Sequence, residues 1–572
     1  MRRILILFAL ATAVVMAAVA VFVLSTLPPR AARPSAAPNR STLAVGAWHV
    51  HSSRSDGSGS VEEIAAAAAG AGLDFVILTD HGDATRAPDP PRYVHDVLII
   101  DAVEINTDSG HVVALNLDGP SAFPLAGDVR DVLDDIHRLG GWAVAAHPDS
   151  PRQNLRWRGQ LTGVDGVEWL NVDSEWRGHA PAEIAASALR SVVRGPESIA
   201  SMFRAPSPGL ARWDAMQRTR PVVGLAAVDA HARLGADDSS PLLGGRAASV
   251  KFPSYAALFR TVVQAVPLSG ARSGSAPTDA RAILDGLRAG RSYSIVRAFV
   301  DLFPSLEFSA TTPQMERIGM GGHVPPGASG AIVAEIPGMQ STRLDLLRDG
   351  RVVKSGQGRL AFDAPGIAAP YRVEAYLPGY RIPWLVTNSI YFDRENATPV
   401  PGNVAPSSVL QGLRVPQDSW RIEANATSRG SIDRDTAGGV VVSYRLGDGA
   451  PAGQYVAFAT DASGASALDR IAITATSASP MRLSLQVRVP GGRDGRRWRK
   501  SLYLDRDPRT YVVSLGDMDP VERGSLLRPI VAKVQSVLLV IDTVNASPGA
   551  SGVVNIRAVT LVTAPPPGGT GR

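Results

Sequence analysis

Histidines and carboxylates recur in short clusters along the first half of the chain, and these residue types at these spacings could bind divalent metal ions. The clusters contain, in chain order, His49, His51, Asp56, His81, Glu104, His111, His147, Asp229 and His231. Imidazole and carboxylate together suit zinc, manganese or iron. The chain contains no cysteine, which excludes thiolate ligands, disulfides and a cysteine nucleophile.

Two of the clusters are pairs with one residue between the partners. His49 and His51 lie in "WHVHSS", and the stretch "VDAH" places Asp229 two residues before His231. Residues two apart on a strand point to the same side, so each pair could hold one ion. Each cluster alone has an ordinary alternative, a solvated turn or a hydrogen-bonded core histidine. As an ordered series at successive strand ends, the clusters favour a joint metal site.

Short apolar runs alternate with helical stretches from Leu43 to Phe303, a pattern typical of repeated βα units. Runs such as "LDFVILTDH", "WAVAAHP" and "RPVVGLAAVDAH" predict buried strands that end in ionisable residues. Ser60 and Glu63 predict a capping box at the start of an alanine-rich helix. In a β/α barrel the carboxyl ends of the strands form the face where active sites are assembled. We therefore expect the clusters to meet at that face.

The ordered motifs "HVHSSRSDG", "TDHG", "VEINTDSGH" with "AHP", and "VDAH" resemble those of the PHP (polymerase and histidinol phosphatase) superfamily of metal-dependent phosphoesterases. The resemblance covers roughly residues 43 to 300. It implies an α/β fold, a distorted seven-stranded β/α barrel over residues 43–303, with two or three divalent ions (Zn, Mn or Fe) held by the residues named above. The segment "LRAGRSY" and the appended β domain make the chain similar to the carbaryl-hydrolase-like branch, whose members cleave ester-type bonds. Ser52 stands where a threonine often follows the second histidine, and this change leaves the ligands intact.

The activity that this resemblance implies is hydrolysis at the metal centre, and it favours a phosphoesterase that uses metal-bound hydroxide. The expected catalytic residues are Glu104, which would bridge metals, together with His147 and Asp229. Two alternatives stay open. The same site could hydrolyse carboxyl esters or carbamates, or the chain could be a surface binding protein with a structural metal barrel and β domains that bind glycan or envelope partners.

Three arginines follow His147 in the stretch "PDSPRQNLRWRG", namely Arg152, Arg156 and Arg158. Arginine matches phosphate oxygens bidentately, so these residues could bind an anionic small-molecule ester at the mouth of the site. A solvated loop with salt bridges is the alternative. The formal net charge of +5 is small for 572 residues, and no nucleic-acid motif is present, so a nucleic-acid partner is not expected.

The N-terminus carries Arg2 and Arg3 before an uncharged apolar run from Ile4 to Leu27, which is long enough to span a membrane. Residues 1–27 therefore predict an uncleaved signal anchor with its arginines on the cytoplasmic side. A cleaved signal peptide is the alternative, and both place the rest of the chain outside the cytoplasm. Residues 28–42, rich in proline, alanine and arginine, predict a linker.

The second half of the chain has the pattern of short strands. Residues 304–397 predict a small immunoglobulin-like β domain, in which Asp349 and Gly350 form a hairpin turn. Evenly spaced alternating runs over residues 407–563 predict a larger, jelly-roll-like β-sandwich. Residues 564–572 predict a disordered tail.

Overall fold

The computed structural model describes residues 2–35, 40–205, 207–233, 252–301, 303–394, 412–436, 438–450, 453–462, 468–491, 495–522, 528–529 and 533–563. The predicted tail at 564–572 and residues 398–406, between the two predicted β domains, lie outside these residues. The chain divides into two compact units. Unit 1 contains Met1–Asp83, Ala87–Gly119 and Asp128–Thr398, and unit 2 contains Ala84–Arg86, Pro120–Gly127 and Pro399–Arg572.

Unit 1 begins with helix α1 (Arg2–Ser25), which is strongly apolar. Its segment Arg3–Ser25 is long and apolar enough to cross a membrane, and none of its most apolar stretch is buried in the protein. This confirms the predicted apolar N-terminal helix. Part of the following linker is ordered, because Ala32 forms a β-bridge with Val300.

Strands and helices alternate through the next part of unit 1. Their bounds are β1 (Leu43–Val50), α2 (Val61–Gly70), β2 (Phe75–Leu78), β3 (His81–Gly82), β4 (Arg92–Val94), β5 (Val97–Asp101), β6 (Val103–Asn106), β7 (His111–Leu115), α3 (Val129–Arg138), β8 (Trp142–Ala145), β9 (Gly166–Asn171), α4 (Val172–Arg177), α5 (Pro181–Ala200), α6 (Pro208–Gln217), β10 (Val223–Ala227), α7 (Tyr255–Leu258), β11 (Val263–Pro267), α8 (Ala276–Arg288) and β12 (Tyr293–Ile295).

These strands belong to two mixed sheets that share one core. In the first sheet β1 lies between β11 and β2, and β2 pairs with β5. The second has the order β10-β9-β8-β7-β6-β3. Beyond the end of β1, the His51 amide donates to the Ala230 carbonyl at 3.0 Å and the Ala230 amide donates to the His49 carbonyl at 3.1 Å, which joins β1 to the segment after β10. Trp48, Phe75, Trp142 and Leu225 pack in the common apolar core. The α/β class is thereby confirmed, and the seven-stranded barrel stays a prediction.

The predicted capping box forms at the start of α2. The Glu63 amide donates to the Ser60 hydroxyl at 3.2 Å, and the Ser60 amide donates to the Glu63 carboxylate at 3.0 Å. Two amides that the first helical turn leaves unpaired are thus satisfied. Ile64 and Ala68 face inward and fix this helix against the sheet, directly after the first histidine motif.

The small β region of residues 304–397 also belongs to unit 1. Its strands are β13 (Glu307–Thr311), β14 (Arg317–Gly319), β15 (His323–Val324), β16 (Gly330–Glu335), β17 (Arg343–Arg348), β18 (Arg351–Gln357), β19 (Arg359–Ala364), β20 (Ala369–Tyr376), β21 (Leu385–Thr387) and β22 (Ile390–Phe392). The predicted hairpin joins β17 to β18, and Asp349 and Gly350 have φ values of 52° and 79°.

One sheet runs from the first part of unit 1 into this β region, because β12 pairs antiparallel with β21. The buried Arg372 of β20 strengthens the connection, since its Nε and Nη2 atoms donate to the Asp214 carboxylate of α6 at 2.7 and 2.8 Å. The boundary predicted between residues 303 and 304 therefore separates two parts of one compact unit.

Unit 2 is a β-sandwich. Its strands are β23 (Leu413–Arg414), β24 (Arg421–Ala424), β25 (Arg429–Arg434), β26 (Val440–Arg445), β27 (Tyr455–Asp461), β28 (Leu468–Ser477), β29 (Met481–Val489), β30 (Arg496–Leu504), β31 (Arg509–Ser514), β32 (Asp519–Pro520), β33 (Ser536–Asp542) and β34 (Ser551–Thr563). One sheet has the order β25-β26-β34-β28-β31 with β23 beside β34, and the other has the order β24-β27-β33-β29-β30-β32. Phe458 and Trp498 are buried in the core of this unit. The predicted β-sandwich character is confirmed, and the jelly-roll topology stays a prediction.

Candidate metal centre

The buried carboxylate of Glu104 lies at the middle of the histidine cluster. Glu104 of β6 is 1% exposed. Its Oε1 atom lies 2.9 Å from His111 Nδ1 and 3.0 Å from His147 Nε2. Its Oε2 atom faces three more imidazole nitrogens at 3.3 to 3.4 Å, those of His49, His51 and His81. The two oxygens of Glu104 thus face two different sets of histidines.

Two aspartates complete the cluster. Asp229 Oδ1 lies 3.4 Å from Nε2 of both His49 and His51, and 3.5 Å from His231 Nδ1. Asp56 Oδ2 lies 3.1 Å from His231 Nε2, and Asp56 Oδ1 lies 3.4 Å from His51 Nδ1. The structure therefore brings together all nine residues that the sequence predicted as ligands, although they come from widely separated parts of the chain.

The donor atoms form four groups, in each of which they lie within 4.8 Å of one another. The groups are His51 with Asp56, His81 and His231; His49 with His147 and Asp229; His49 with His51 and Glu104; and His81 with Glu104 and His111. Glu104, His49, His51 and His81 each belong to two groups. Of these four, Glu104 has two carboxylate oxygens and could be shared between two closely spaced ions, whereas each neutral imidazole would bind one ion.

Three buried polar atoms at the centre have no hydrogen-bond partner among the described residues. They are His51 Nε2, His81 Nδ1 and Asp229 Oδ1. An unsatisfied buried polar group costs about 1–3 kcal/mol, so such atoms normally have a partner. Each of the three is an imidazole nitrogen or a carboxylate oxygen, and such atoms coordinate Zn, Mn and Fe. The residues present thus fit divalent cations.

The carboxylates of the cluster favour the binding of positive charge among the histidines. Burial alone lowers the pKa of His51, but Asp229 and Glu104 outweigh it and raise that pKa to about 10. Burial raises the pKa of Glu104, and the surrounding histidines, His49 first, reverse this and hold it well below its usual range. The carboxylate of Glu104 is therefore ionised, and His51 attracts a proton. A divalent cation would replace that proton, because ligands must be deprotonated to bind metal.

Strained backbone positions three of the candidate ligands. His49, His147 and Asp229 have φ values of 63°, 31° and 47°, in the left-handed region that non-glycine residues rarely adopt. Such conformations cost about 1–3 kcal/mol each and cluster at functional sites. The register of β1 against β2 also shifts between Ala47 and Val50. His49 and His51 thus converge through an irregular strand end rather than through the regular alternation that their spacing predicted.

Glu168, which was not predicted from the sequence as a site residue, positions candidate ligands through hydrogen bonds. Glu168 of β9 is 2% exposed, and its Oε1 atom lies 2.5 Å from His49 Nδ1. Its Oε2 atom accepts hydrogen bonds from the His147 amide at 2.6 Å and from Asn171 Nδ2 at 2.8 Å. Asn171 Nδ2 also lies 3.1 Å from Asp229 Oδ2. One carboxylate and one amide therefore position three candidate ligands.

Asp80, beside His81, plays a similar part for the loop of the first motif. Its carboxylate accepts hydrogen bonds from the amide and hydroxyl of Ser52, at 2.8 and 2.6 Å, and from the hydroxyl of Ser55 at 2.7 Å. These bonds hold the loop that carries Asp56 close to the centre. Ser52 thus supplies both an amide and a hydroxyl to this contact.

A cavity of about 170 Å³ opens above the cluster. Of the three arginines predicted to bind substrate, Arg152 lines this cavity, whereas Arg156 and Arg158 do not. Arg156 Nε instead donates to the Ser150 carbonyl at 2.8 Å. Two arginines that the sequence reasoning missed, Arg177 and Arg233, line the cavity as well. Arg177 is oriented by Asp173, which accepts from its Nε at 2.6 Å.

No protein-family model and no curated protein matches the chain. Among solved structures, the family 11 carbohydrate-binding module of the cellulosomal cellulase Lic26A-Cel5E of Clostridium thermocellum is 14% identical, with a TM-score of 0.23, over 27% of this chain and 97% of the module. The agarase AgWH50C is 8% identical, with a TM-score of 0.21, over 27% of this chain and 26% of the agarase. TM-scores this low carry no argument about function. What the centre can do follows from its own geometry: a deep, acid-rich histidine cluster suited to divalent cations, beneath a cavity lined by arginines.

Proposed function

We propose that residues 43–303 form a PHP-type distorted seven-stranded barrel that acts as a multinuclear-metal hydrolase, specifically a phosphoesterase. The observation that carries this proposal is the convergence of the eight other predicted ligands around the buried Glu104. Buried polar atoms of the cluster that make no hydrogen bond, and strained backbone at three ligands, support it. Interactions that stabilise the fold alone would not require such a concentration of costly features.

The chain's own residues would divide the work as follows. Glu104 presents one oxygen to His111 and His147 and the other to a second set of histidines, so it would bridge two cations. Asp229 faces His49, His51 and His231 from the opposite side. When bound, divalent ions supply the nucleophile by lowering the pKa of a coordinated water, and they also polarise the bond to be cleaved. No side-chain nucleophile is then needed.

The lining of the cavity supports an anionic substrate. Arg152, Arg177 and Arg233 line the cavity together with residues of the cluster. Guanidinium groups match the geometry of phosphate oxygens and remain charged at any physiological pH. A phosphoester in the cavity would thus meet both the cations and these guanidinium groups. Carboxyl esters and carbamates carry no such charge, so the arginines favour them less.

The same proposal includes an extracytoplasmic location, with α1 as an uncleaved membrane anchor. An apolar helix of this length, exposed along its sides and preceded by basic residues, meets the requirements for a signal anchor. The β regions would then face the cell envelope, where glycans are the partners predicted for them.

The test combines metal analysis with a substrate screen on the full chain. Metal content is measured by mass spectrometry after purification, and hydrolysis is measured with phosphate mono- and diesters, carboxyl esters and carbamates. The double variant His49→Ala/His51→Ala should lose both bound metal and hydrolysis. A matched double variant, His95→Ala/His323→Ala, removes two exposed histidines outside the cluster and should keep both.

Turnover that persists in His49→Ala/His51→Ala would contradict the proposal. Metal binding without hydrolysis of any ester class would instead favour the binding-protein alternative. Hydrolysis of carboxyl esters or carbamates without phosphoesters would assign the same centre to that chemistry.

A further inference from the structure

Helix α5 carries an apolar stripe that the described part of the chain leaves exposed. Leu189, Val192 and Val193 are 43%, 85% and 54% exposed. Ala182 and Ala185 are also exposed and precede them at helical spacing, on the same face. The opposite face is turned inward, with Ser187 buried. An exposed apolar face on an otherwise amphipathic helix marks a contact surface.

The stripe lies beside the residues that follow the C-terminal end of the apolar helix α1. The Arg194 guanidinium of α5 donates a hydrogen bond to the Pro28 carbonyl, three residues after the end of α1. The segment after α1 is held in place further along, because the Ala32 amide donates to the Phe299 carbonyl at 2.8 Å and the Ser35 amide donates to the Gly338 carbonyl at 3.0 Å. The exit of α1 is thus fixed next to Val192 and Val193.

A cavity of about 280 Å³ lies at the C-terminal end of α5, where Glu197 and Ala200 line it. Pro28 and Pro29 form part of its wall, together with the apolar side chains of Phe203, Phe299 and Ile382. The stripe precedes the kink of α5 at Arg194 and the cavity lies after it, and both are next to Pro28 in the segment that follows α1. Apolar surface is therefore concentrated where the chain would meet the bilayer.

We propose that the α5 stripe of Leu189, Val192 and Val193 inserts into the interfacial region of the membrane that α1 crosses. This inference rests on the anchor proposed above. Lipid is the expected occupant because the stripe is continuous with the exit of the apolar helix α1. The formal charges on α5 cancel, since Glu183 and Glu197 balance Arg190 and Arg194. Burial of apolar side chains, rather than attraction to anionic headgroups, would hold the helix at the surface.

The absence of cysteine from the sequence allows a direct test in the full chain. Single cysteines are introduced as Val193→Cys, Val352→Cys and Leu24→Cys, and each is labelled with an environment-sensitive fluorophore. Val352 is the matched control, because it is an exposed valine of the same unit and is 54% exposed, as Val193 is. The labelled proteins are reconstituted in phosphatidylcholine vesicles that contain lipids with a nitroxide quencher.

The labels at residues 24 and 193 should shift their emission to shorter wavelength and lose most of their fluorescence to the nitroxide lipid. The label at residue 352 should do neither. Quenching at residue 24 without quenching at residue 193 would overturn this inference and leave the anchor standing. Failure of quenching at both residues would overturn the inference together with the anchor. An emission shift at residue 193 that grows with protein concentration, without lipid quenching, would assign the stripe to a second copy of the chain and also overturn it.

Discussion

Replacement of Glu168 by glutamine tests how the metal centre is held together. The Oε2 atom of Glu168 accepts from two N–H groups, those of His147 and Asn171, so the oxygen of a glutamine amide must occupy that place. The amide nitrogen then faces His49 Nδ1, where Glu168 Oε1 now lies at 2.5 Å. Because that nitrogen is a donor, Nδ1 of His49 would have to accept and its proton would move to Nε2.

Nε2 is the atom that His49 presents to Glu104 and Asp229, so a proton on it blocks its use as a ligand. Loss of a carboxylate that orients a metal-bound histidine typically lowers metal affinity about 10- to 100-fold. This corresponds to about 1.4–2.7 kcal/mol of binding free energy. The side chain keeps its size, so the variant should fold.

The assay is competition for Zn²⁺ or Mn²⁺ between the full chain and a chromophoric chelator. Glu307→Gln serves as the control, because Glu307 is an exposed strand residue whose carboxylate pairs with Arg317 at 2.7 Å, outside the centre. Glu168→Gln should bind metal at least tenfold more weakly, and Glu307→Gln should match the unaltered protein. Equal affinity in the two variants would refute the role assigned to Glu168.

Three further predictions follow from the same structure. Asp229 and Glu104 raise the pKa of His51 to about 10, against its ordinary 6.5, so its protonated form stabilises the metal-free protein below pH 6.5 and this contribution is lost as the pH rises toward 10. The thermal midpoint of metal-free protein should therefore fall between pH 7 and pH 10, and added Mn²⁺ should raise it more at pH 9 than at pH 7; an equal rise would count against the cluster. Arg152→Ala should raise KM for phosphoesters about tenfold, whereas Arg156→Ala, which alters a residue outside the cavity lining, should not. Ser60→Ala should lower the free energy of unfolding by about 1 kcal/mol through the lost cap, with metal affinity unchanged.

Much of the candidate site could be predicted because its ligands follow short-range rules. Histidines and carboxylates at the ends of apolar runs mark strand ends, and strand ends meet in space when strands pair side by side. His49, His81, His147 and Asp229 were found in this way and do converge. The capping box of Ser60 and the Asp349-Gly350 hairpin were equally local, because each depends on residues only a few positions apart.

The site residues that the sequence did not predict are brought to the centre by contacts between distant parts of the chain. Glu168 lies inside the apolar run "GVEWLN" without a paired ligand nearby, so only the fold reveals that it faces His49. Its one local signal was a carboxylate within a buried strand. Arg177 belongs to a short helix where it forms an ordinary i, i+4 pair with Asp173, and nothing local places it at the cavity.

The connection of the small β region to the rest of unit 1 also could not be predicted from local sequence patterns. The change of pattern near Pro304 predicted a domain boundary. However, β12 pairs with β21, and Arg372 pairs with Asp214 across more than 150 positions of the chain. Pairings between such distant residues leave no periodic mark in either segment.

The most direct test of the central claim is anomalous X-ray diffraction from crystals of the full chain, recorded at the absorption edge of the metal found by mass spectrometry. We expect at least two anomalous peaks about 2.0–2.2 Å from ligand atoms, with Glu104 between them. His49, His51 and His81 should lie on the side of Glu104 Oε2, and His111 and His147 on the side of Oε1. Histidine and carboxylate groups in direct contact with one another, without an anomalous peak near Glu104, would contradict the account.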